Sequence, residues 1–537
     1  MAETMHERFF DVAARFADRP FVGTPPNPER RWAPEGLVYS YAQAAASIEA
    51  LARVYRDAGI GHGHRVASVI ENHPDFFLHK MALSTLGASI VPLSPELGPA
   101  ELTWALTLTR PELGIVLPQH RGRLEALTLP RAPQWVELAA FDRGFPGARE
   151  PAPEPGPITR DTETLILFTS GTTGLAKGCR YSHDYELALG DWYRSMGGRA
   201  VLRPGLECVY NPLPVSHSDC GVRAFHEMMP VGGCVMTSDR FRPARFWQDV
   251  VNSKATVLHY LGVVTSMLMA RPPSPLDRSH EVRWAIGAGI EPKRHREFEE
   301  RFGFPLLEVW GMTECMRVLI DSTEPRAVGT RAVGRPRPGL DVRLVDDEDR
   351  EVPLNTPGEL CIRHSAETPR QGVFSGYLQD PEATELAWHG GWFHTGDLLR
   401  QDETGLCYFV DRKKHIIRRS GENIAAAEIE ALLLAHPAVA QVAAIPVPDE
   451  VRGEEVFVCI VPRAGEVPGL ALAQRLFQHV YAQLAYYKAP GWVLFLEDLP
   501  KTSSQKLKKY AIFPVGVDPR REFGSLDFRA QKQRRDA

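Results

Sequence analysis

The sequence predicts an α/β protein: a large N-terminal domain of βα subdomains plus a β-rich piece, then a small α+β C-terminal domain. Three observations carry this. Helix-spaced and strand-like runs alternate through the first 140 residues and again from Glu207 to about Trp310. Shorter β-like segments with Gly, Pro and Asp turns run from Val328 to Phe409. A compact set of helix, strand pair and helix follows the charged stretch Asp411 to Lys414. Alternation of the first kind gives a largely parallel sheet with helices on both faces. The turn-rich middle reads as more antiparallel.

Taken in order, MAETMHERFFDVAARF reads as an amphipathic helix, without the apolar core or cleavage site of a signal peptide. Tyr41 to Ala58 has helical spacing and stops at Gly59; Arg65 to Ile70 reads as a strand. Pro74 to Leu86 is a helix ending at Gly87, and Ile90 to Leu93 a strand. PAPEPGP, Pro151 to Pro157, is a surface linker. Leu165 to Phe168, LILF, is a buried strand. In the last third, Ala426 to Leu434 is helical, Val439 to Val447 and Glu454 to Val461 form a strand pair, and Leu470 to Gln483 is helical. The charged tail after Ile512 is expected to be loosely held. The expected boundaries are 1–411, 412–515 and a tail of 516–537.

At 537 residues the chain exceeds what one core holds, so two or more domains are expected. Hydrophobic content of 44% and charged content of 24% suit a soluble globular protein. A net charge of −5 gives no broad cationic field, which argues against a nucleic-acid partner. The eight cysteines include no CxxC pair, which argues against zinc and for reduced thiols in a cytoplasmic chain. No apolar run reaches the roughly 18 residues of a membrane span.

The most informative segment is Thr169 to Gly178, TSGTTGLAKG. Gly171, Gly174 and Gly178 let the backbone approach an anion closely. Thr169, Ser170, Thr172 and Thr173 supply hydroxyls, and Lys177 supplies a full charge. A buried strand, a Gly-rich hydroxyl loop and a lysine together form a polyphosphate cradle. It is not the common ATPase loop, because Ala176 and Gly178 flank Lys177 where Gly and Ser or Thr would stand. In VWGMTECM, Trp310 could stack on a purine, Thr313 could donate to a phosphate and Glu314 could hold magnesium. GWFHTGDL places Asp397 in what reads as a Gly-flanked turn, where a carboxylate can accept both hydroxyls of a ribose. DRKKHIIRRSGENIAAAEIE, Asp411 to Glu430, breaks the pattern as a hinge would. LPKTSSQKLKK sets Lys506 a fixed distance after a turn, and NPLPVSHSDCG contains His217.

Each motif alone also reads as an ordinary turn, helix start or solvated charge run. TSGTTGLAKG, NPLPVSH, GAGIEP, WGMTE, GELCI, GWFHTGDL, DRKK…SGEN…EIE and PKTSSQK in fixed order do not. In that order, across roughly residues 36 to 512, the sequence resembles the ANL superfamily of adenylate-forming enzymes. That superfamily comprises acyl-CoA synthetases, nonribosomal adenylation domains and firefly luciferase. Within it the sequence looks most like the carnitine/crotonobetaine-CoA ligase group.

The resemblance implies that Thr169, Ser170, Gly171, Thr172, Thr173, Gly174 and Lys177 bind the β- and γ-phosphates of ATP. Trp310 would flank adenine, and Gly287, Ala288 and Gly289 would line the strip between adenine and the acid. Thr313 would touch the α-phosphate, Glu314 would hold Mg2+, and Asp397 and Arg412 would bind the ribose. Lys414 matches the hinge position of a mobile C-terminal domain, and Lys506 the catalytic lysine carried by it. Ser420, Gly421 and Glu422 would shape the channel for CoA, and His217 would gate the acyl pocket. The sequence departs from the family pattern at Ala176, at Trp310, in GAGIEP and at Gln505, which replaces the Gly of the usual Ser-Gly-Lys.

What the resemblance implies is an ATP-dependent acid–CoA ligase that joins a small carboxylic acid to CoA through an acyl-adenylate. The alternatives are a stand-alone enzyme loading a carrier protein, a luciferase-like oxygenase and a catalytically dead scaffold subunit.

Overall fold

A computed structural model describes residues 4–154, 156–169, 176–419, 422–449, 452–484, 486–501, 507–514 and 516–533, with the backbone alone at 141–143, 414, 418, 422, 423 and 510. The chain divides into two compact units. The first comprises Met1–Val342, Ile362–Phe393 and Gly405–Tyr408, and the second Arg343–Cys361, His394–Thr404 and Phe409–Ala537.

The first unit holds two sheets whose inner strands include short, fully buried runs such as Ser89–Pro92, Leu113–Val116 and Cys234–Thr237, the signature of strands covered on both faces. In the first sheet the strand order is Gln134–Glu137, Leu113–Val116, Arg65–Val69, Ser89–Pro92, Glu163–Thr169 and Lys177–Ser182. Only the last pair is antiparallel. The second sheet runs Cys315–Ile320, Leu306–Met312, Trp284–Ala288, Val257–Leu261, Cys208–Asn211, Cys234–Thr237, Pro20–Thr24 and Leu37–Ser40. Its interior is parallel and each edge pair antiparallel.

Local chemistry sets the helix limits. Ser40 caps Tyr41–Asp57 by accepting from Gln43 N, and Gln43 returns a bond to the Ser40 amide. Gly59, at φ +79°, turns the chain out at the other end. The N-terminal run forms a helix, Met5–Arg15, boxed by Thr4 and Glu7. The other sequence-derived elements of this region are present with their ends shifted by one or two residues.

In the second unit, Gly453–Pro462 is the central strand of a sheet that also contains Ile416–Arg419, Glu422–Ala425, Val439–Asp449 and Trp492–Phe495. Alternation along that strand sends Val456, Val458 and Ile460 to one core, with Ile429, Leu433, Leu476, Phe477 and Val480. It sends Phe457, Cys459 and Val461 to another, with Leu494 and Leu499. The helices Ala426–Leu434 and Leu470–Gln483 have the limits read from the sequence.

Two sequence expectations need correction. Up to residue 533 the tail is not loosely held. Pro519–Glu522 is a helical turn, and Leu526–Asp527 pairs antiparallel with Trp492–Phe495. Phe528 is buried and stacks on Phe477 with ring centroids 5.1 Å apart. Lys532 is buried against Glu455. Asp397 lies inside a strand, Trp392–Gln401, instead of a turn; Gly396, at φ +69°, deforms the strand beside it. Among the described residues no helix is long and apolar enough to cross a membrane.

Candidate active site

In the first unit the phosphate-loop sequence joins two antiparallel strands, with Thr169 and Lys177 directly opposite each other. Ser170, Gly171, Thr172, Thr173 and Gly174 lie outside the described residues. Trp104 Nε1 donates to Ala176 O at 2.8 Å, tying down the return of the loop. Lys177 Nζ lies 3.6 Å from Asp380 Oδ2 and 4.7 Å from the centre of the Tyr377 ring.

Thr313 and Glu314 form the two-residue turn between strands Leu306–Met312 and Cys315–Ile320, in which Met312 faces Cys315. Buried tyrosines fix this turn. Tyr181 Oη and Tyr185 Oη both donate to Thr313 O, at 2.6 and 3.0 Å, and Met316 N donates to Tyr185 Oη at 2.8 Å. Phe374 N donates to Glu314 O at 3.1 Å. Tyr377 Oη donates to Glu314 Oε1 at 2.8 Å. The turn and the second strand of the phosphate hairpin are thereby held side by side. Burial, then the Glu314 charge, pushes the Cys179 thiol of that strand well up. Trp310 is buried on the strand leading to the turn, and Gly311 after it is exposed.

Gly287 and Ala288 end a strand, and Gly289 follows at φ +86°. Space here excludes side chains: a Cβ on Gly287 would lie 2.1 Å from Tyr260 O, and one on Gly262 would lie 1.8 Å from Gly289 O. Glu308 organises the strip, accepting from Gly289 N at 3.0 Å, Ile290 N at 3.2 Å and Tyr260 Oη at 2.6 Å. Its burial still leaves the carboxyl raised above its ordinary value.

His217 is half-buried and accepts at Nδ1 from Asp219 N, 3.2 Å away. Asp219 itself is taken up by its neighbours, Arg223 at 2.7 Å and His259 Nδ1 at 2.6 Å; His259 Nε2 reaches Glu227 at 2.5 Å. Burial would push the Asp219 carboxyl up, but Arg223 and His259 hold it well below the usual carboxylate range.

In the second unit, Asp397 is buried with its Oδ1 2.5 Å from Arg412 Nε. Its amide donates to Thr395 Oγ1 at 3.1 Å, and that hydroxyl donates to Leu360 O at 2.7 Å. Glu359 accepts from Gly396 N at 3.0 Å and from Lys413 Nζ at 2.7 Å. Burial opposes ionisation of Glu359, yet His394 and Lys413 hold its carboxyl down at about 2. Lys414 lies in the short helical turn Lys413–His415, and its side chain is outside the described set. Ser420, Gly421 and Lys506 are outside the described residues, and Glu422, described by its backbone, opens the strand Glu422–Ala425.

Among the described residues no group of three or more His, Cys, Asp or Glu side chains could hold a metal unaided. Magnesium usually takes one or two carboxylates and completes its shell with phosphate and water oxygens. The single buried carboxylate of Glu314 beside a phosphate hairpin fits that donor set. Sequence reasoning passed over Tyr377, Asp380 and Glu308. Only the Gly-Tyr and Asp of SGYLQD could have flagged the first two, because their partners are distant in the chain.

Comparison with known proteins shows the family to which the chain belongs. Residues 9–378 match the AMP-binding enzyme family, and residues 428–506 match the AMP-binding enzyme C-terminal domain. A crotonobetaine/carnitine–CoA ligase of Citrobacter koseri is 30% identical over 497 residues, covering 88% of this chain and 93% of that protein. The structure is similar to ATP-bound MatB from Rhodopseudomonas palustris, at 25% identity and a TM-score of 0.77, covering 94% of this chain and 97% of that one. It is also similar to the amide bond synthetase McbA from Marinactinospora thermotolerans, at 25% identity and a TM-score of 0.76, covering 94% and 98%. The chain therefore belongs to the AMP-binding enzymes of the adenylate-forming superfamily, whose chemistry is the ATP-dependent activation of an acid.

Proposed function

We propose that the protein is an acid–CoA ligase. A substrate carboxylate attacks the α-phosphorus of ATP, pyrophosphate leaves, and the thiol of CoA then attacks the acyl carbon of the adenylate and releases AMP. The observation that carries this reading is Lys177 held beside the Glu314 turn in a chain that spans 93% of a relative named a CoA ligase.

The chemical difficulty is repulsion, since one anion must approach another. Lys177 and the hydroxyls of the phosphate loop would stabilise the leaving pyrophosphate. Thr313 would donate to the α-phosphate, and Trp310 with Gly287–Gly289 would border adenine. Asp397 and Arg412 would hold the ribose. Magnesium, when bound at Glu314, spreads the phosphate charge. Lys506 would bridge the carboxylate and the α-phosphate; preorganised donors of this kind are typically worth about 10²–10³ each in rate. A C-terminal domain starting at about residue 412 would then turn about Lys414, withdraw Lys506 and bring Ser420–Glu422 to shape the thiol channel, with His217 at the acyl gate. None of the eight cysteines forms a disulfide, which suits a reducing cytoplasm supplying ATP and CoA.

A second reading rests on the likeness to an amide bond synthetase, in which an amine would replace the thiol as acceptor. One experiment separates the readings: a panel of acids assayed for pyrophosphate release, alone and with CoA, a phosphopantetheinylated carrier protein or an amine. Acid-dependent release followed by acyl-CoA formation supports the ligase. Release with product on the carrier or amine only would overturn the CoA assignment.

A further inference from the structure

One side chain touches two groups to which the proposed function gives separate tasks. Tyr377 Oη donates to Glu314 Oε1 at 2.8 Å, while the centre of its ring lies 4.7 Å from Lys177 Nζ. The fold creates this meeting by laying Ser375–Leu378 along the second strand of the phosphate hairpin. Leu378 N donates to Gly178 O at 2.8 Å, Arg180 N to Gly376 O at 3.0 Å and Ser375 N to Arg180 O at 2.8 Å. Cys179 and Tyr377 thus sit opposite each other.

A phenylalanine would supply the same ring; only tyrosine adds a donor. An ordinary phenol carries its proton at neutral pH and a carboxylate can only accept, so the hydroxyl donates. A donor on one carboxylate oxygen fixes how that carboxylate is turned, the usual means by which an outer partner orients a metal-binding group. A ring face attracts an ammonium without cancelling its charge. Asp380, 3.6 Å from the same Nζ, supplies a competing charge.

We propose that Tyr377 is a positioning residue for the magnesium–ATP complex: its hydroxyl sets the Glu314 carboxylate for the metal, and its ring holds Lys177 ready for the phosphates. This rests on the assignment of Glu314 and Lys177 to that complex.

The test is calorimetric titration of the full-length protein with ATP, with and without Mg2+. Tyr377→Phe keeps the ring, so it should weaken binding of magnesium–ATP about tenfold and leave metal-free ATP within about twofold. Tyr377→Leu should also weaken metal-free ATP, by about two- to fivefold. In a Glu314→Gln background, Tyr377→Phe should have no further effect, which gives a second route to the same decision. Equal binding by wild type and Tyr377→Phe, or equal weakening with and without Mg2+, would overturn the proposal while leaving the ATP site intact. A wild-type protein that binds no ATP would instead remove the assignment beneath it, and the role of Tyr377 with it.

Discussion

Arg412 Nε lies 2.5 Å from Asp397 Oδ1, and the two side chains differ in access: Arg412 is 41% exposed and Asp397 only 3%. The Asp397 backbone is held where its amide donates to Thr395 Oγ1, and the carboxylate is paired with the more exposed guanidinium. A carboxylate so fixed can accept two adjacent hydroxyls without reorganising. Asp397→Ala should therefore raise the dissociation constant for ATP about tenfold or more, the usual effect of losing hydrogen bonds to a charged group. It should also abolish the preference for ATP over 2′-deoxy-ATP. Competitive binding measurements check both; an unchanged preference would remove Asp397 from the ribose site.

Lys506 has the most demanding role in the proposed reaction. Lys506→Ala should reduce acid-dependent ATP–pyrophosphate exchange by about 10²–10³ or more. It should spare thioester formation from a presynthesised acyl-adenylate and CoA, because the lysine would have left the site by then. If both half-reactions fall equally, Lys506 does not act in the first half-reaction alone and the domain rotation has no support.

How much of this was legible in the sequence follows from which forces are local. Tyr41–Asp57 could be read because its cap, apolar stripe and Gly59 all lie within it. Lys177, Glu314, Asp397 and Arg412 could be singled out as candidates because their motifs keep a fixed order. Asp397 was misplaced in a turn because Gly391 and Gly396 precede it, whereas bonds holding that strand come from Leu360 and Glu359. The tail was misread because Arg520, Arg521 and Arg529 dominate its composition, while the strand pair at Leu526–Asp527 and the buried Phe528 and Lys532 anchor it. Tyr377 was invisible because its partners are brought together only by pairing of distant segments.

The crowding of Gly262 against Gly289 makes a contrast with a roomy glycine measurable. A Cβ at Gly262 would lie 1.8 Å from Gly289 O, and this is backbone against backbone, so no side chain can swing aside. Gly262→Ala should cost about 1–3 kcal/mol, as overpacking does, and should weaken ATP binding by shifting the Gly287–Gly289 strip. Gly122, in the helix Pro118–Glu125, has nothing within 4 Å of its Cβ position. Gly122→Ala should stabilise by about 0.5–1 kcal/mol. Urea midpoints of the two variants test this; a Gly262→Ala protein as stable as wild type would show that Gly262 and Gly289 are not held together.

Lys532 tests whether the tail belongs to the fold. Its ammonium is buried against Glu455, which also accepts from Arg419 Nε at 2.8 Å, immediately before the Ser420–Glu422 segment. Burial, the larger influence, lowers its pKa from 10.5 to about 8, with Glu455 pulling the other way. Below about pH 8 both native and unfolded chains carry this proton, and the native state bears the full cost of the buried charge. Between about 8 and 10.5 the unfolded chain binds the proton and the native chain does not, so stability rises with pH across that window. Lys532→Met removes the titrating group and should flatten the rise, seen as a smaller gain in urea midpoint between roughly pH 8 and pH 9.5 than wild type shows. Deleting residues 524–537 should go further, since it also uncovers the site filled by Phe528 against Phe477, and losing a core aromatic costs about 3–5 kcal/mol. If that deletion leaves the C-terminal unit equally stable and the pH profile unchanged, the tail contributes nothing to the fold and Arg419 must be held by Glu455 alone.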